Sequence, residues 1–161
     1  MSSAFIIKSS SEEKLARIGA PISTEAIEET KTLEEVVVEL LHSIPSAAVL
    51  AQLASIDPNT LPMASRIDYL SAIERQESWI HALMQRAIVA VAGRDSADNP
   101  DPIFGVDESE REDVSTALRL SPNSAQIKID IARALTNHLP NTSSALAVGE
   151  ISAARSEEHT S

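Results

Sequence analysis

Few side chains in this sequence are spaced to do chemistry. The histidines, His42, His81, His138 and His159, are scattered, and none is followed three or four residues later by another metal ligand. That spacing matters because it puts two donors on one helical face. No H-E-x-x-H, C-x-x-C or phosphate-cradling glycine loop occurs, and the absence of cysteine excludes thiolate ligands and disulfides within these residues. The carboxylates of "DSADNPD" suggest calcium, but Ala97 stands where a second ligand belongs and no closing Glu follows in register. Asp107, Glu108, Glu110, Glu112 and Asp113 precede or open a predicted helix, where its dipole favours negative charge.

One constellation admits a binding role. "VSTALRLSPNSAQIKIDIARAL" reads as a helix, a tight break at Leu120-Ser121-Pro122 and a second helix, the outline of a helix-turn-helix. Ala125, Ile129 and Ala132 form its inward seam, broadened by Ile131 and Leu135. Its nucleic-acid candidates are Arg119, Lys128 and Arg133 as phosphate contacts and Gln126 as a bidentate partner for adenine. Lys128 falls partly along the seam, leaving Arg119 and Arg133 as the accessible cations. Asp130 and Ile127 weaken this face, and Arg119 occupies a turn position where glycine is usual. Two helices packed in a bundle account for the same pattern. Any DNA contact is therefore expected to be weak and without base preference.

The elements around this pair are predicted to be helical. The chain has 161 residues, 43% hydrophobic but only 2% aromatic, with a formal net charge of −11. An aliphatic, Gly-poor composition favours closely packed helices, and the acidity repels phosphate backbones at long range. Residues 1–22 are Ser-rich and weakly patterned, which predicts a disordered arm before a helical domain over 23–154. Thr32 and Glu35 form a capping box ahead of a helix ended by Pro45. A short helix follows from about Ser46 to Ser55, stopped at Asp57-Pro58. The main element runs from Pro62 to Gly93, where Ile67, Leu70, Ile73, Ile80, Leu83, Met84, Ala87, Ile88 and Val91 recur at steps that predict one buried stripe. The expected fold is an all-α helical bundle, with this long central helix and the helix-turn-helix-like pair near the C-terminus. No apolar run spans a bilayer and no secretory leader is evident, so the expected location is cytoplasmic.

The C-terminal half resembles a domain of unknown function found in actinobacterial proteins N-terminal to an HNH endonuclease module. The landmarks are Ala117-Leu118-Arg119-Leu120-Ser121-Pro122, Ala125, Ala132-Arg133-Ala134-Leu135, Leu139-Pro140 and Gly149-Glu150-Ile151-Ser152. The upstream "YLSAIERQESWIHALMQRAI" is similar to that family's early helix, so the resemblance covers about residues 57–154. It implies a non-catalytic helical portion of an endonuclease that assists in positioning nucleic acid. The alternative is a helical interaction or oligomerisation module. Catalytic residues and the divalent metal would belong to the downstream module, leaving no catalytic residue, metal ligand or cofactor here. Family members often carry Arg near positions 123 and 127, where this chain has Asn123 and Ile127.

The last seven residues, Arg155-Ser156-Glu157-Glu158-His159-Thr160-Ser161, have no apolar face. They are the translation of AGA TCG GAA GAG CAC ACG TCT, which resembles the start of a common short-read sequencing adapter. Residues 155–161 are thus expected to be an artefact appended to a truncated reading frame. The helix opened at Ser152 is expected to stop almost at once. Loss of a following helix would leave apolar helix faces open to self-association.

Overall fold

The computed structural model describes residues 31–94 and 108–158. The expected arm at 1–22, the "DSADNPD" carboxylates and His159 lie outside the described residues. Those described form an all-α fold without strands: α1 (Leu33–His42), α2 (Ala47–Ala54), a 3-10 turn (Pro58–Thr60), α3 (Met63–Ala92), α4 (Glu108–Leu118), α5 (Pro122–Asn137), α6 (Pro140–Ala147) and α7 (Ala153–Glu158).

Helix boundaries follow local chemistry. The Thr32 backbone N–H donates to Glu35 Oε2 at 2.8 Å, and the Glu35 N–H donates to Thr32 Oγ1 at 3.3 Å. Each residue satisfies a donor that the first turn of α1 would otherwise leave open. These bonds from Thr32, the backbone one foremost, hold the Glu35 carboxyl below its ordinary pKa. Ser46 caps α2, and Ser121 with Pro122 behind it opens α5. At the end of α6, Glu150 N–H reaches Ala145 O at 2.9 Å and Gly149 N–H reaches Leu146 O at 3.2 Å. This pair of bonds closes a helix through a left-handed residue, and Gly149 has φ 69°. A Cβ at Gly149 would lie 3.0 Å from Arg75 Cβ and 3.1 Å from Pro45 Cγ, so both conformation and close approach demand glycine.

The 30-residue α3 is the spine, with an aliphatic cluster near each end. Val37, Leu40, Val49, Leu53, Ile56 and Leu61 gather around Ala72 near its N-terminal half. Val114, Ala125, Ile129 and Ala132 gather around Ile88, Val89 and Ala92 at its C-terminal end. Between them α3 buries polar side chains, Gln76, Ser78 and Gln85. Gln76 Oε1 accepts the Ser46 N–H at 3.1 Å, which ties the α2 N-terminus to the spine. No helix of the described residues is long and apolar enough to cross a membrane.

Two expectations are corrected. The first is the α3 stripe: Ile67, Leu70, Ile80, Leu83, Met84 and Val91 are exposed, as is Ala87, and Ile73 is half-buried. Only Ile88 of that set is buried. The face that packs carries Ser65, Ala72, Gln76, Ser78, Ala82, Gln85, Ile88, Val89 and Ala92. Its small residues admit close approach of the neighbouring helices, and contact geometry rather than side-chain hydrophobicity selects the buried side. The second is the C-terminal helix, which does form. Ser152 Oγ accepts the Arg155 N–H at 3.2 Å, and Ser156 is fully buried with its hydroxyl on Ala153 O at 2.7 Å. A short helix can seat through a small hydroxyl and needs no apolar stripe.

Candidate nucleic-acid interface

Arg119, Gln126, Lys128 and Arg133 sit on the α4-turn-α5 unit. The turn closes α4 as Gly149 closes α6, with Leu120 N–H on Ser115 O at 2.9 Å and Arg119 N–H on Thr116 O at 3.3 Å. Arg119 is the left-handed residue, φ 56°, among described residues otherwise left-handed only at glycine. Ser115 Oγ donates to Leu120 O at 2.7 Å and helps hold the turn. The helix-turn-helix outline is thus present, with arginine where glycine is usual. Its side chain is exposed.

The other three candidates are engaged within the protein. Arg133, expected to be accessible, has a side chain only 12% exposed. Its Nε donates to Gly93 O at 3.1 Å, and its Nη2 donates to Ala92 O and, at 3.3 Å, to Glu110 Oε2. A guanidinium on the last carbonyls of α3 meets the negative end of the helix dipole and satisfies acceptors that the helix leaves open. Glu110, in the first turn of α4, brings a third helix to the same cation. Arg133 is thus a junction between α3, α4 and α5, which corrects its reading as an accessible phosphate contact. Gln126 Nε2 donates to Asp130 Oδ1 at 3.0 Å, so its amide is paired along its own helix. Lys128, half-exposed as expected of a residue near the seam, pairs with Glu157 Oε1 at 2.9 Å.

Sequence inspection missed a second junction of the same kind. Arg75 donates from Nη1 to Leu41 O at 2.8 Å and from Nη2 to Val148 O at 3.1 Å, joining the ends of α1 and α6 to α3. The signal was available in principle, since every helix terminus exposes carbonyls that need donors. It does not say which distant arginine supplies them.

Beside this unit, His81 Nε2 lies 2.8 Å from Gln85 Nε2 and 3.5 Å from Glu157 Oε1. Burial lowers the His81 pKa, outweighing the nearby Glu157. Burial thus favours the neutral ring, whose Nε2 is within hydrogen-bond distance of the Gln85 amide. On α1, Glu34, Glu35, Val38, Glu39, His42 and, from α3, Ser65 line an open groove of about 450 Å³. Its carboxylates disfavour phosphate. Among the described residues no three His, Asp or Glu side chains converge to hold a metal ion.

Comparison with protein-family models, curated proteins and solved structures finds no match for this chain.

Proposed function

We propose that residues 31–154 form a non-catalytic helical interaction module. The carrying observation is the fate of the candidate DNA face, with Arg133 spent on the α3 terminus and Gln126 on Asp130, beside the large apolar side chains that α3 exposes at Ile67, Leu70, Ile80, Leu83, Met84 and Val91. A DNA reader needs cations and amides free to meet phosphates and base edges. An interaction module needs exposed apolar surface on a rigid element, and α3 supplies it. The motif string from Ala117 to Ser152 supports a parent protein with an HNH endonuclease module, in which this domain would hold partners while the nuclease module acts on nucleic acid.

The test is a fluorescence-anisotropy titration of labelled duplexes across a salt series, with wild type and Arg119→Ala. Arg119 is the remaining exposed candidate, so at most one or two phosphate contacts are expected, with a log–log salt slope no steeper than about −2. Nanomolar, base-selective binding at physiological salt would overturn the proposal in favour of a DNA-positioning domain.

A further inference from the structure

The groove on α1 is built to accept hydrogen bonds. Glu34, Glu35, Val38, Glu39 and His42 line it at steps of one and three residues, which puts them on one side of the helix. Three are carboxylates. His42 Nδ1 lies 2.8 Å from Val38 O and must donate to it, which leaves Nε2 as the acceptor of the neutral ring. Glu35 and Glu39, four residues apart, form a like-charge pair that an isolated helix disfavours.

Ser65, which α3 contributes to the same groove, is an independent feature. The residue is only 7% exposed, yet its hydroxyl has no hydrogen-bond partner among the described residues. A helical serine can return its hydroxyl to the carbonyl four residues back. Here that carbonyl, Leu61 O, already accepts Arg66 Nε at 2.8 Å. The Ser65 hydroxyl is left for whatever enters the groove.

We infer that this groove binds a lysine-bearing segment of a partner protein. The lysine stem lies along Val38, and its ammonium meets the Glu34, Glu35 and Glu39 carboxylates and the Ser65 hydroxyl. The inference rests on the interaction-module reading and gives it a partner chemistry. Val38 is 44% exposed, an apolar strip suited to a four-carbon stem. Among the described residues no three His, Asp or Glu side chains converge, so the acceptors match a cation on a flexible stem better than a compact metal ion. An ammonium can turn its three donors toward scattered acceptors, whereas a guanidinium fork suits a single bidentate carboxylate. Lys31 shows this chemistry at the groove's edge, with Nζ 2.5 Å from Glu39 Oε2. Both of those side chains are 58% exposed, so an incoming ammonium displaces Lys31 at little cost. Exposed ion pairs are individually weak, and binding of a short lysine peptide is expected near a Kd of about 1 mM.

The experiment is a two-dimensional amide NMR titration of the full chain with acetylated, amidated tetralysine. Saturable shifts are expected at residues 34–42 and at Ser65, with one shared Kd. The double variant Glu34→Gln with Glu39→Gln should weaken binding by about fivefold, and Ser65→Ala by about twofold. Glu112→Gln with Asp113→Asn removes the same charge from exposed positions on α4 and should change Kd by less than about twofold. Lys31→Gln removes the competing ammonium and should tighten binding by about twofold to threefold, more than Arg86→Gln, which removes an exposed charge from α3. Unchanged circular-dichroism melts show that the variants still fold. Absence of saturable shifts up to about 10 mM peptide overturns the inference. So does equal weakening by the groove and α4 double variants, or the same shifts from magnesium chloride at matched charge, since either means diffuse attraction to an acidic chain. None of these results touches the DNA titration, so this inference and the interaction-module reading fail separately.

Discussion

Arg133 shows why a residue's type and its place in a motif do not define its role. By spacing it belongs to the outer face of a recognition-like helix, and by contacts it is a fastening for three helices. Its removal leaves the carbonyls of Ala92 and Gly93 without their charged donor in a largely covered position. Hydrogen bonds to charged groups contribute about 1.5–3 kcal/mol each, with context deciding how much survives. Arg133→Ala is expected to lower stability by about 2–3 kcal/mol in urea denaturation, with Arg133→Lys intermediate because an ammonium cannot fork between two carbonyls and a carboxylate. A loss below about 0.5 kcal/mol would show that water replaces the guanidinium freely. Arg119 makes the opposite prediction. A side chain held at φ 56° carries a left-handed penalty of about 1–2 kcal/mol, partly offset by the backbone entropy that glycine would lose on folding. Arg119→Gly should therefore stabilise by about 0.5–1 kcal/mol, read as a higher urea midpoint. A lower midpoint would mean that the arginine side chain holds the turn.

At the scale of the element, cap residues and helix spans were legible because they follow from local chemistry. Thr32 with Glu35, Ser46, Ser121 with Pro122, and the glycine stop at 93 all act within one turn. The buried side of α3 was not legible. An aliphatic repeat at helical spacing is the ordinary sign of a core face, yet the neighbours dock on Ala72, Ala82, Val89 and Ala92, where their backbones come close. Which side is buried depends on helices distant in sequence, and Arg75 and Arg133 are the long-range bonds that fix them. The α1 cap carries a pH prediction. The Glu35 carboxyl has its pKa lowered by the Thr32 bonds, so its contribution is complete above the unfolded glutamate value near 4.5. It is lost as pH falls through the still lower folded value. Hydrogen exchange of the first α1 amides should therefore quicken, relative to the α5 amides, as pH drops from 6 to 3. Glu35→Gln should flatten that difference, and equal pH dependence in both proteins would remove the capping box as its cause.

For the molecule as a whole, α3 carries an aliphatic cluster at each end and a polar band between them, and all-α architecture was readable from composition and periodicity together. The corrected elements are those whose position depends on distant partners, α7 among them. Its contacts, Glu157 with Lys128 and the buried Ser156, fall within residues 155–161, the stretch expected from the sequence to be adapter-derived. That expectation concerns nucleotides, and a helix built from the same residues does not bear on it. Ala, Arg, Ser and Glu are all compatible with a short helix after a Ser152 cap, whatever the origin of the codons. The folding consequence is nevertheless measurable. The Lys128–Glu157 pair is about one-third exposed on each side, and such pairs contribute about 0–1 kcal/mol. A chain ending at Ala154 should then melt within a few degrees of the full chain and keep its α3 and α5 protection, unlike Arg133→Ala. Amplifying the locus from source DNA gives the decisive comparison. The expected result is a coding sequence that departs from AGA TCG GAA GAG CAC ACG TCT immediately after the Ala154 codon. The same codons read on both genomic strands would make α7 a native helix, and Glu157 a native partner of Lys128.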